Sequence, residues 1–156
     1  MDKLSKIIKT IPATGTKAVR ATKEIPRKVL MKIEDGETGR TKCAAFIEIA
    51  DTPALCRRGL SKRASIGPRD GMWFDCHGPF WMKDTEFPLD LCYLDRNGTV
   101  TEKVAMAKDK LGRTTYPRKN ASSEQAVEFP AGFCRRHGIE VGDRLVPLSE
   151  VVRSKS

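Results

Sequence analysis

The chain has 156 residues, of which 39% are hydrophobic and 31% charged, the balance of one ordinary globular domain with room for an appendage. No apolar run approaches the ~20 residues of a membrane-spanning helix, and no apolar stretch of ~7–15 residues follows the basic N-terminus, so neither a span nor a secretory signal is recognisable. Five cysteines, odd in number and irregular in spacing, exclude a complete intrachain disulfide framework. Free thiols at Cys43, Cys56, Cys76, Cys92 and Cys134, in a reducing compartment, are therefore expected.

The net charge of +9 is concentrated at one end. Residues 1–32 hold nine Lys and Arg against Asp2 and Glu24, a net +7, which leaves +2 for the remainder. The N-terminal piece reads as a basic arm, residues 1–28. Within it Leu4, Ile7, Ile8 and Ile11 recur at helical spacing, with Lys3, Lys6 and Lys9 largely off that stripe. Asp2 suits the helix start, and Pro12 with the Ala13–Thr16 stretch ends it. A second weak helical piece runs from Lys17 to Ile25 and stops at Pro26. Helices this short are marginal alone in water, so the arm needs a surface to dock on.

From Val29 the pattern changes to short strands. Val29–Ile33 and Cys43–Ala50 read as strands, the latter with Phe46 and Glu48 on one face and Ile47 and Ile49 on the other. Thr52-Pro53 supplies a capping hydroxyl and a proline at the first helical position, which predicts a helix from Pro53 to about Lys62. Gly71–Cys76 is the next strand, followed by an apolar stretch at Phe80–Lys83. Pro88–Asp95 and Thr99–Ala107 flank Asn97-Gly98, whose tolerance of positive φ marks a tight hairpin. Leu111–Ser123 is polar and reads as a surface loop. Glu124–Phe129 forms a strand, Pro130-Ala131 starts a helix closed by Gly138, and Val141–Leu148 is the last strand.

The ordered series R-G-L (58–60), G-M-W-F (71–74), F-W-M-K-D-T (80–85), F-P-L-D-L (87–91), V-E-F-P-A-G (127–132) and G-I-E-V-G-D (138–143) resembles one bacterial and archaeal family. It is the family called domain of unknown function one-nine-two, and the resemblance covers about residues 43–148. It implies a compact, mostly antiparallel β domain with short helices, and no established activity, cofactor or catalytic residue. The chain departs from the family twice: it opens on a basic arm rather than an apolar leader, and Asp84 stands where relatives usually carry an amide.

Two groups of residues carry chemistry. Asp75, Asp84, Glu86 and Asp90 surround an aromatic and methionine patch at Trp73, Phe80, Trp81 and Met82. Carboxylates beside an apolar wall can perform acid–base work, or line a ligand pocket of Trp73, Trp81, Met82, Asp84 and Asp90. Equally, Asp90 can hold backbone N–H groups where a loop enters a strand. Cys76-His77 and Cys134 with His137 are soft metal ligands; Cys134 and His137 have three-residue spacing, but Cys76 and His77 are adjacent and would point to opposite faces of a strand, so small buried thiols and a surface histidine are expected. No phosphate-binding glycine loop or nucleophile elbow is present, and no metal or cofactor is expected.

The sequence thus predicts an α+β fold: a mostly antiparallel, small barrel-like sheet with two short helices in residues 29–156, plus the arm. The functional expectation is a non-enzymatic structural component, held in a large assembly such as a phage virion, or in the cytoplasm, by its arm. Leu4, Ile7, Ile8 and Ile11 would pack on protein subunits, while Lys3, Lys6, Lys9, Lys17, Arg20, Lys23, Arg27 and Lys28 meet acidic groups or nucleic-acid phosphates. The alternative is a small hydrolase or ligand-binding domain using the patch around Trp81 and Asp90.

Overall fold

The alternating segments on either side of residues 34–40 become two paired strands in the computed structural model of the chain, which describes Leu4, Ile8 and residues 25–148. Strand β1 (Lys28–Glu34) runs antiparallel to β2 (Thr41–Ala50), placing Lys28 opposite Glu48 and Ile33 opposite Cys43. Helix α1 (Pro53–Arg58) starts as its sequence predicts: the Thr52 hydroxyl accepts the Leu55 N–H at 3.2 Å and proline fills the first position. It ends sooner than the apolar spacing indicates. Gly59 turns the chain at a positive φ of 49°, and Leu60 is thereby buried.

The crossover through α1 delivers β3 (Asp70–Phe74) parallel to β2, with Ile47 opposite Gly71. Parallel neighbours need a connection of a dozen residues or more, which residues 51–69 provide. The hairpin predicted at Asn97-Gly98 joins β5 (Leu89–Leu94) to β6 (Val100–Met106). Asp95 Oδ1 accepts the N–H groups of Asn97 and Thr99 across that turn. Gly98 has φ 88°, and a Cβ there would lie 2.8 Å from the Leu145 carbonyl oxygen, so the turn requires glycine. Strand β8 (Gln125–Pro130) lies between β5 and β3, and β9 (Arg144–Pro147) pairs with β1. Helix α2 (Phe133–His137) follows β8 and closes at Gly138. A separate two-stranded ribbon joins β4 (Phe80–Trp81) to β7 (Thr115–Tyr116). Strand β7 falls within the stretch read as a loop, because two residues carry no readable period.

The seven-stranded sheet has the order β6-β5-β8-β3-β2-β1-β9. It curls until its two end strands touch. Val100 N–H donates to the Asp143 carbonyl (2.8 Å), Gly142 N–H to that of Val100 (2.8 Å) and Leu145 N–H to that of Gly98 (2.9 Å). Within residues 25–148 the result is the mostly antiparallel, barrel-like sheet with two short helices that the sequence predicts.

Each face of the sheet has its own core. Met31, Ile47, Trp73, Leu94 and Phe129 fill the inner face with Phe133 of α2, whose ring stacks on Phe129 at 4.2 Å. On the other face Met72, Phe74, Leu91 and Tyr93 are covered by Leu55, Leu60 and Met82. The inner core also contains Leu4 and Ile8, which are 2% and 0% exposed. Leu4 N–H donates to the Arg96 carbonyl, and Arg27 Nη1 to the Ile8 carbonyl. Two apolar positions of the arm are thus used by the chain's own barrel.

The cysteines depart from expectation. Cys56 and Cys76 form a disulfide, with Cα atoms 6.2 Å apart, and only Cys43, Cys92 and Cys134 are free thiols. An odd count forbids complete pairing but not one bridge, and α1 packs against the end of β3. Cys92 and Cys134 lie 3.4 Å apart as buried thiols. Their mutual hydrogen bond, together with burial, raises the Cys92 thiol well above its ordinary range.

Candidate functional site

Strand β8 alternates: Gln125, Val127 and Phe129 face the inner core, which turns Ala126 and Glu128 to the other side. There Glu128 is flanked in register by Met72 of β3 and Leu91 of β5, and it is 4% exposed. A carboxylate in such apolar company loses its hydration, which favours the neutral acid. Burial pushes the Glu128 carboxyl up to about 8.

Glu128 lines a cavity of about 340 Å³. One wall is the disulfide, Arg57, Arg58 and the turn from Gly59 to Ser61; the other runs from Cys76 and His77 to Trp81 and Lys83. Aromatic rings shape the interior. Phe80 meets Phe74 edge-on at 5.0 Å and Tyr93 at 5.8 Å. Trp81, 51% exposed, stands at the mouth with the Lys83 ammonium 5.4 Å from its ring.

Three devices hold the walls. The disulfide ties α1 to Cys76. Arg118 donates to the carbonyls of Gly78 (2.9 Å) and Cys76 (2.6 Å), while its guanidinium lies over the Tyr93 ring. Ser61 Oγ donates to the Arg58 carbonyl at 2.6 Å, which fixes the turn after α1.

The residues expected to share a pocket are separated. Trp81 stands at the cavity mouth, but Trp73 is buried in the core on the opposite face of the sheet. Met82 is buried beside the cavity rather than in its lining. Asp84 sits in left-handed backbone, its N–H bonded to the Lys110 carbonyl. Asp90 points to the inner face, where Oδ2 accepts the Cys134 N–H at 3.0 Å, the backbone-holding role its position allows. Glu86 pairs with Lys108 and Lys110 on the surface. The soft ligands are also dispersed: Cys76 is in the disulfide, and His137 packs on the Phe133 ring. Among the described residues no group of three or more His, Cys, Asp or Glu side chains converges on one point. Of the arm residues, Arg27 pairs with Asp51 at 3.7 Å and Lys28 opens β1. Lys3, Lys6, Ile7, Lys9, Ile11, Lys17, Arg20 and Lys23 lie outside the described residues.

Glu128 is the residue that sequence reasoning passed over. Its signal is a single acid inside the apolar run A-V-E-F, on an interior strand of the sheet.

Residues 34–147 match the family model DUF192, described as an uncharacterized ACR. The chain belongs to the DUF192 family. The match takes in the cavity and leaves residues 1–33 outside. Two solved structures are similar to this DUF192 chain. A Sinorhizobium meliloti protein named as a "putative transcription regulator" is 26% identical, with a TM-score of 0.71 over 81% of this chain and 98% of its own. A protein of unknown function from Novosphingobium aromaticivorans is also 26% identical, with a TM-score of 0.67 over 85% and 99%. No curated protein matches the chain. Among the described residues no helix is long and apolar enough to cross a membrane.

Proposed function

We propose that this DUF192 chain is a non-enzymatic binding domain whose working part is the Glu128 cavity. The observation that carries this reading is a buried carboxyl, held toward its neutral form by burial, in the lining of an aromatic-walled cavity of about 340 Å³. Pockets of that size, mostly apolar with a few convergent polar groups, are the usual form of small-molecule sites. Hydrolysis receives less support. Asp90 is engaged by backbone, and the hydroxyls of Ser61 and Thr85, which line the cavity, are donated to carbonyls. The test is a fragment screen by protein-observed NMR on the full chain. Binders that shift amides of residues 56–61 and 76–81, and lose that effect in Trp81→Ala, support the cavity. A screen in which no fragment shifts those amides overturns it.

A second reading concerns the arm. The +7 carried by residues 1–32 supports anchoring in a larger assembly through a polyanionic partner such as nucleic acid or an acidic protein face. Charge reversal at Lys17, Arg20 and Lys23 removes association with co-purifying partners if this reading holds; unchanged association overturns it.

A further inference from the structure

We infer that the occupant of the Glu128 cavity is an aromatic oxyanion, a planar ring bearing a carboxylate or a phosphate monoester; this rests on the binding reading above. Three features converge on that chemistry. Arg57 and Lys83, both exposed, contribute to the lining, and Glu128 is its one acid among the described residues. Glu128 does not neutralise them, because burial holds its carboxyl toward the neutral form. The charge at the mouth therefore meets an uncharged base, and the cavity favours an anion oriented outward.

The second feature is the wall. Phe74, Phe80 and Trp81 offer edges and a face to a flat ring, and Trp81 keeps half its surface in solvent. Lys83, already over the Trp81 ring, is placed to meet an oxyanion on a ring stacked there. Third, a protonated Glu128 is a hydrogen-bond donor as well as an acceptor. It can read a carbonyl or hydroxyl at the buried end of the ligand. The titratable and charged groups around it are His77, Arg57, Arg58 and Lys83 in the lining, and Tyr93 from β5. Ionising Glu128 puts a negative charge behind an anionic ligand, so affinity falls as pH rises through about 8.

The probes are 4-hydroxybenzoate, phenyl phosphate and uncharged 4-hydroxybenzamide, titrated into the full chain and followed by amide shifts of residues 56–61 and 76–81. The expected result is saturable binding of at least one anion, at least tenfold tighter than the benzamide. Which anion binds tighter distinguishes a carboxylate from a phosphate source. Arg57→Ala with Lys83→Ala, two exposed positions, weakens the anion at least tenfold and leaves the benzamide unchanged. Glu128→Gln flattens the decline in affinity between pH 7 and 9. Equal binding of benzamide and anions overturns the oxyanion assignment while leaving a ligand cavity in place. Absence of any shift with all three probes, in a chain that binds other fragments there, also overturns the assignment. Absence of shift with every fragment overturns the binding reading itself.

Discussion

Glu128 sets a pH dependence that runs against the usual direction for carboxylates. Its folded-state value of about 8 lies above the ordinary 4.5, so the folded chain keeps a proton that the unfolded chain has released. This group's contribution to stability therefore declines as pH rises from about 4.5 to about 8, by up to roughly 1.4 kcal/mol per pH unit, and is level beyond. Denaturant melts at a series of pH values should show that slope in the wild type. Glu128→Gln should lack it and gain relative stability toward pH 8. Asp90 serves as an acceptor for the first turn of α2. Asp90→Ala leaves the Cys134 N–H without that acceptor in a part-buried position and should cost about 1–3 kcal/mol, while Asp90→Asn, which retains an oxygen, should cost less. The role of Asp90 was readable from its place at a strand entry. That of Glu128 was not, since an acid in an alternating strand ordinarily faces water, whereas here Leu60 and Phe80 share the cavity lining with it.

At the level of elements, local chemistry was legible wherever one or two residues decide the backbone. Thr52-Pro53 started α1, Asn97-Gly98 turned the hairpin and Gly138 closed α2, all as written in the sequence. Contacts between distant elements were not legible. The Cys56–Cys76 bridge exists because α1 meets the end of β3, which no spacing rule foresees. Thiol titration of the denatured, unreduced chain should find three reactive groups, rising to five after reduction. A bridge closing a loop of this length is worth about 3 kcal/mol by chain-entropy arguments, so Cys76→Ser should lower the melting point measurably. Leu4 and Ile8 give the same lesson. Their spacing marked an apolar stripe in need of a surface, and that surface includes the chain's own inner core. Ile8→Ala should cost about 2–5 kcal/mol by removing fully buried methylenes, measured by urea unfolding, whereas an exposed tether would lose nothing.

For the molecule as a whole, strand periodicity and turn residues conveyed a β-rich barrel, but not its strand order, since alternation says which face is buried and not which neighbour is paired. The parallel β2–β3 pair and the insertion of β8 between β3 and β5 depend on crossovers whose residues show no period of their own. The pairing of β9 with β1, Met31 opposite Pro147, together with the seam between β9 and the Gly98 turn, has a kinetic meaning. The first strand cannot complete its ladder until nearly the whole domain has left the ribosome. Until then its outer edge is an open template for misassociation. Pairings this remote in sequence are the ones that slow folding, because the loop-closure entropy is lost before any contact rewards it. Refolding should accordingly take milliseconds to seconds rather than microseconds, and chains cut before Arg144 should be captured by aggregation or proteolysis even though eight of the nine strands among the described residues are already present.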